Sequence, residues 1–170
     1  RGRSVSGSRG DAVAAETGAV VQAFDAGLVV SATQLRGAAR LAARAIARGE
    51  AVARDPGVEV LLYAAGRRQI DRALELGVSA GERRVVVLAA DFGDVPGVKR
   101  SAADLDAAVD GLRSLATDSS EIASGDGRST ELDEDRVREF YGVTDRELAA
   151  TNGDLADAVR ERVALLDVEK

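Results

Sequence analysis

Arg67 and Arg68 stand side by side after Gly66 and before Gln69 and Ile70, inside the stretch 58–77, VEVLLYAAGRRQIDRALELG. A guanidinium is a planar fork of N–H donors that takes a phosphate or carboxylate two oxygens at a time and stacks on flat rings. The arginines precede a helical pattern, Ile70, Ala73 and Leu74 at i, i+3 and i+4, with Gly77 where a left-handed stop is expected. A helix start carries partial positive charge and favours carboxylates by about 0.3–1 kcal/mol each. Two arginines there oppose that preference, while the free N–H groups attract an anion. Two readings stand: Arg67 and Arg68 mark an anion or RNA-phosphate site at the helix start, or both bend into water and cover apolar surface.

The elements that must position this loop can be read around it. Val58, Val60, Leu61, Leu62 and Tyr63 form an apolar run of strand length, so a strand is expected over 58–64, entered by a turn at Asp55-Pro56-Gly57. Val20 to Phe24 reads as a short strand ending in a turn, and the continuous run Val85 to Ala89 as a strand buried on both faces. Ser31 with Gln34 matches a capping box and opens a helix to about Arg48, which Gly49 stops. Arg36, Arg40, Arg44 and Arg48 recur on its exposed side, a spacing that suits either a nucleic-acid contact or a solvated face. Ser101 with Asp104 is expected to cap a helix carrying Leu105, Val109, Leu112 and Leu115. Asp91-Phe92-Gly93 matches a kinase metal-binding tripeptide, but without a glycine-rich loop, strand lysine or catalytic loop it reads as a strand-end turn.

Residues 1–19 are Gly/Ser/Arg-rich and read as a flexible arm, 20–168 as one domain, and 117–132 as a loop or insertion. Three helices are expected after it: near Asp133–Tyr141, from the Thr144/Glu147 cap through Ala150, and from Asn152–Asp154 onward. Leu155, Val159, Val163 and Leu166 form a stripe on the last of these. It reads as core first and as a partner seam, at Val159, Val163 and Leu166, second. The fold class that emerges is α/β (α+β): one domain with a small, mostly antiparallel sheet around 58–64 and 84–90, flanked by helices.

Composition narrows the chemistry. The 170 residues contain no Cys, His, Met or Trp. Thiolate nucleophiles, disulfides, the Ser-His-Asp relay and most transition-metal sites are therefore unavailable. Of 23 basic residues only Lys99 and Lys170 are lysine, and the net charge is −6. An acid-rich, lysine-poor chain resembles a halophilic archaeal protein. At about 1 M salt the screening length is near 3 Å, so short hydrogen bonds from arginine forks must carry recognition. No apolar run reaches transmembrane length and no secretory h-region is present, so a cytoplasmic chain without membrane contact, metal or cofactor is expected.

The succession QAFDA (22–26), ARGE (47–50), GVEVLLYAAGRRQIDRALELGVS (57–79), the apolar run 85–90 and the tail YGVTDREL…AVRERVALLDV (141–168) resembles one family. It is the small kinase-associated subunit of the KEOPS (EKC) complex, the PRPK-binding or TPRKB family. The resemblance covers roughly 20–92 and 133–168. It implies a non-catalytic subunit that binds the complex's small atypical kinase/ATPase, the Bud-type subunit or PRPK. It further implies capture of tRNA at the single-stranded 3′ CCA end, in support of N6-threonylcarbamoyladenosine formation. On that reading Gly66, Arg67, Arg68, Gln69 and Ile70 are the RNA-binding residues, because selective RNA binding targets unpaired ends. Two other classes stay open. One is a carboxylate-dependent hydrolase or nucleotide-binding enzyme using 66–70 for phosphate; the other is an interaction module without RNA binding.

Overall fold

A computed structural model of the chain describes residues 5–78, 84–115 and 132–169, with side chains from residue 9 onward. The expected loop at 117–132 lies outside the described residues except for Leu132. The central element is a helix, not the strand expected there. Pro56–Ala65, α3 in chain order, begins at Asp55, whose side chain accepts from the Val58 N–H, and carries Pro56 in its first turn. It ends at Gly66 in the left-handed region, φ 61°. Proline at the start and glycine at the end are the ordinary punctuation of a helix. The run between them looks strand-like because α3 is buried all round: Val60 through Ala65 are each at most 1% exposed. A helix without a solvated face loses the 3.6-residue alternation by which helices are recognised.

The other elements pack around α3. They are α1 (Val5–Thr17), β1 (Val20–Asp25), a 3-10 turn (Ala26–Leu28), α2 (Ala32–Arg48), α4 (Ile70–Leu74), β2 (Val85–Ala90), α5 (Leu105–Leu115), α6 (Glu134–Tyr141), α7 (Asp145–Ala150) and α8 (Leu155–Val168). Residues 5–17 are thus a helix rather than a flexible arm. Its intrinsic propensity is poor, with Gly7 and Gly10 inside it, and tertiary packing supplies what is missing. Val13 buries itself beside Ala19 and Ala108, close enough to α5 that a Cβ on Gly111 would lie 3.2 Å from a Val13 methyl.

β1 and β2 pair antiparallel, from Val20 opposite Ala90 to Asp25 opposite Val85. Alternate residues share a face. Val20, Phe24, Val86, Leu88 and Ala90 face the main core, where α3 packs against β1. Val21 and Ala89 lie under α1 and α5 on the other side. That cover is incomplete, and Val85 and Val87 remain 39% and 38% exposed. The expectation of a strand buried on both faces is corrected accordingly. The α+β class holds, with two described strands among mostly helical elements.

The helix signals fare unevenly. Ser31 accepts from the Gln34 N–H at α2, and Gly49 closes it at φ 72°. Asp133, Thr144 and Asp154 cap the last three helices. At α5 the capping side chain is Asp104, bonded to the Ala107 N–H at 3.0 Å, rather than Ser101. Of the expected α5 stripe, Leu105, Val109 and Leu115 are exposed, while Ala108 is buried. Gly77 stops no helix either. α4 ends at Glu75 in right-handed geometry, and Gly77 instead bridges to Phe24.

Two buried phenols report on this core. Tyr63 donates to Asp167 Oδ1 at 3.2 Å, and Tyr141 donates to the Leu28 carbonyl at 3.0 Å. Burial is the first cause that raises both pKa values; the Asp167 charge adds to it at Tyr63, while Gln34 and the Arg67 charge oppose it at Tyr141. A raised folded pKa gives a contribution fully present below about pH 10, where both states hold the proton. It is lost progressively as pH rises toward the folded value, because only the unfolded chain ionises. An alkaline titration followed by phenolate absorbance should therefore show no signal while the far-ultraviolet spectrum remains native, then both tyrosines together on unfolding. A phenolate near pH 10 in the folded chain would contradict this assignment.

Candidate nucleic-acid interface

The loop at 66–69 leaves a closed helix end. The Gly66 N–H bonds to the Tyr63 carbonyl at 3.0 Å and the Arg67 N–H to the Leu62 carbonyl at 3.1 Å. Together they form a Schellman closure of α3. Gly66 is required twice over, by its positive φ and by α8. A Cβ there would sit 3.1 Å from the backbone oxygen of Arg162.

From this turn the two arginines part. Arg67 leans across to the C-terminus of α6, donating to the Phe140 carbonyl, with its guanidinium carbon 5.9 Å from the Phe140 ring centroid. Arg162 of α8 reaches the same helix end, donating to the Tyr141 and Gly142 carbonyls and to Glu147 at 2.9 Å. The last carbonyls of a helix lack partners within it and carry partial negative charge. Arg67 therefore opposes the dipole of no helix; it stabilises the C-terminus of one. This sequence-distant role left no local sign, and neither did that of Arg162.

Arg68 differs. It is exposed and has no hydrogen-bond or ionic partner among the described residues. Gln69 is exposed and makes no side-chain cap at α4. Ile70 and Leu74 are 39% and 52% exposed, while Ala73 and Leu76 turn inward. The expected stripe of Ile70, Ala73 and Leu74 is thus core only at Ala73. The result is an open edge with one unengaged guanidinium, one unengaged amide and two apolar side chains. It offers an anion contact and a wall for a flat ring side by side.

Beside it lies a cleft of about 530 Å³ lined by Leu28, Arg67, Arg72, Glu75, Arg136, Glu139 and Phe140. Its charges are largely matched within the fold. Arg136 binds the nearly buried Asp25 at 2.8 Å, and Arg72 pairs with Glu75 at 3.2 Å. The hydrogen bond to Asp25 is the main cause that raises the Arg136 pKa, so this guanidinium stays charged. Among the described residues no group of three or more carboxylates is arranged as a metal site. Asp91-Phe92-Gly93 is a local turn closed by the Gly93 N–H on Asp91 Oδ1 at 2.9 Å.

The C-terminal residues considered for partner binding are placed inside. Val159 is fully buried, and Val163 and Leu166 are 4% and 3% exposed. They pack α8 into the main core, so the stripe serves as core. Val163 also reaches the floor of a groove of about 290 Å³ between α2 and α8.

The open edge of this α+β scaffold carries arginine, glutamine and isoleucine side by side. The family model for the kinase binding protein CGI-121 matches residues 9–167, and the chain belongs to that family. No curated protein matches the chain. No helix among the described residues is long and apolar enough to cross a membrane.

Proposed function

We propose that the protein is a non-catalytic accessory subunit of the KEOPS complex. It binds the complex's small atypical kinase/ATPase and the 3′ CCA end of tRNA, and thereby supports N6-threonylcarbamoyladenosine formation in a cytoplasmic, high-salt setting. Membership of a kinase-binding family supports the kinase partner. The unengaged Arg68 beside Gln69 and the exposed Ile70 is the observation that carries the RNA reading. Arg68 meets the terminal phosphates, Gln69 a base edge, and Ile70 with Leu74 the face of an unstacked base. Arg67 holds the turn rather than the RNA.

The test is tRNA binding at matched high salt, intact against CCA-trimmed, for wild type, Arg68→Ala and Arg67→Ala. Arg68→Ala should weaken intact tRNA about tenfold or more, the effect of losing one charge-assisted hydrogen bond, with no change in melting temperature. Trimming should weaken wild type similarly and the variant little. Arg67→Ala should lower stability by about 1–3 kcal/mol, since it strips a helix-end carbonyl of its partner. Equal affinity across all combinations would remove the RNA site and leave the kinase-binding role.

A further inference from the structure

From the groove between α2 and α8 we infer a docking surface for an acidic, amphipathic segment of the kinase partner; this inference rests on the kinase-binding reading above. Its apolar floor includes Gly37, Leu41 and Ala164, and Arg40, Arg44 and Arg160 stand around it. The arginines recur along α2 every four residues, about 6 Å of rise. Their own carboxylates compensate them only in part. Arg44 reaches Asp167 loosely at 3.9 Å, and Arg160 pairs with Asp157. Arg40 is exposed with no ionic partner among the described residues. In a chain of net charge −6, this local positive surplus selects a negative partner.

The floor decides which negative partner it is. Single strands bound without sequence preference rest their bases on aromatic rings, and none of the chain's five aromatic residues lines this groove. A protein segment needs an apolar recess for an anchor and a charged rim, which is the arrangement present. Gly37 makes the recess. A Cβ at that position would meet nothing within 4 Å. An apolar side chain of the partner seats over Gly37, Leu41 and Ala164, with flanking carboxylates on Arg40 and Arg160.

Calorimetric titration of the cognate small atypical kinase subunit into the full chain tests this, using wild type, Gly37→Leu and Arg40→Glu. Gly37→Leu fills the recess at a position where leucine is the better helix former, so the fold, checked by circular dichroism and melting, should persist. Each variant should bind the kinase at least tenfold more weakly. The Arg40→Glu loss should shrink as salt is raised, and the Gly37→Leu loss should not. Wild-type affinity in both folded variants would overturn the inference while leaving kinase binding intact. Kinase affinity unchanged but tRNA affinity reduced would assign the groove to RNA and overturn it as well. Failure of the wild type itself to bind the kinase would instead defeat the proposed function, and this inference with it.

Discussion

Gln34→Ala is expected to destabilise the protein by about 3–5 kcal/mol, the range for losing a buried side chain together with the bonds it satisfies. Gln34 is 1% exposed and joins four segments. Its oxygen accepts from the Val30 N–H at 2.9 Å, and its nitrogen donates to the Ala64 carbonyl at 2.9 Å and to the Tyr141 hydroxyl at 2.6 Å. Tyr141 passes the chain on to the Leu28 carbonyl. Alanine leaves the Val30 N–H buried without its acceptor, leaves the Ala64 carbonyl only the long contact of 3.5 Å from the Tyr141 hydroxyl, and opens a void among them. An orphaned buried donor costs about 1–3 kcal/mol, and the weakened acceptor and the lost packing add to it. Against a total stability of about 5–15 kcal/mol, urea unfolding would show the midpoint collapse. A change below about 1 kcal/mol would mean that the network is not closed as described.

Glu59→Ala should cost about 2–4 kcal/mol, while Glu59→Gln should cost less. The Glu59 carboxylate is fully buried in the first turn of α3. It accepts from the Val52 and Ala53 N–H groups at 3.0 and 2.8 Å, so it fastens the α2–α3 connection to the helix start. A negative charge there is also favoured by the helix dipole. Glutamine keeps an acceptor in place but forfeits the charge, whereas alanine removes both. Thermal melting of the pair separates the two contributions. Equal losses in both variants would show that the charge, not the acceptor geometry, matters.

The sequence was most legible where a signal is local. Ser31, Gly49, Thr144 and Asp154 announced helix ends that the chain uses. The Leu155, Val159, Val163 and Leu166 spacing announced a helix whose stripe packs inward, although Leu155 is only partly covered. α3 looks like a strand in the sequence because its pattern is set by what surrounds it, not by its own periodicity. The decisive clue is Asp55-Pro56 with Gly66 ten residues after the proline, a pairing that marks a helix although Asp55-Pro56-Gly57 alone suits a turn. β2 failed in the opposite sense, since an apolar run cannot say whether a second layer covers it. At the candidate site, the sequence gives the two arginines one role, and the structure gives them different surroundings. Their division follows from the C-terminus of α6, more than seventy residues away, coming to rest beside Arg67 but not beside Arg68.

The full enclosure of α3 bears on how the protein can be dissected. A ten-residue helix is marginal on its own in water, and this one would expose apolar side chains in every direction. Removing α8, α2 or the strands would strip one of its walls. The elements that enclose α3 are therefore expected to fold together, and the proposed RNA and kinase contacts cannot be assigned by cutting them apart. Surface substitutions that leave α3 enclosed are the means by which the two proposed contacts can be separated.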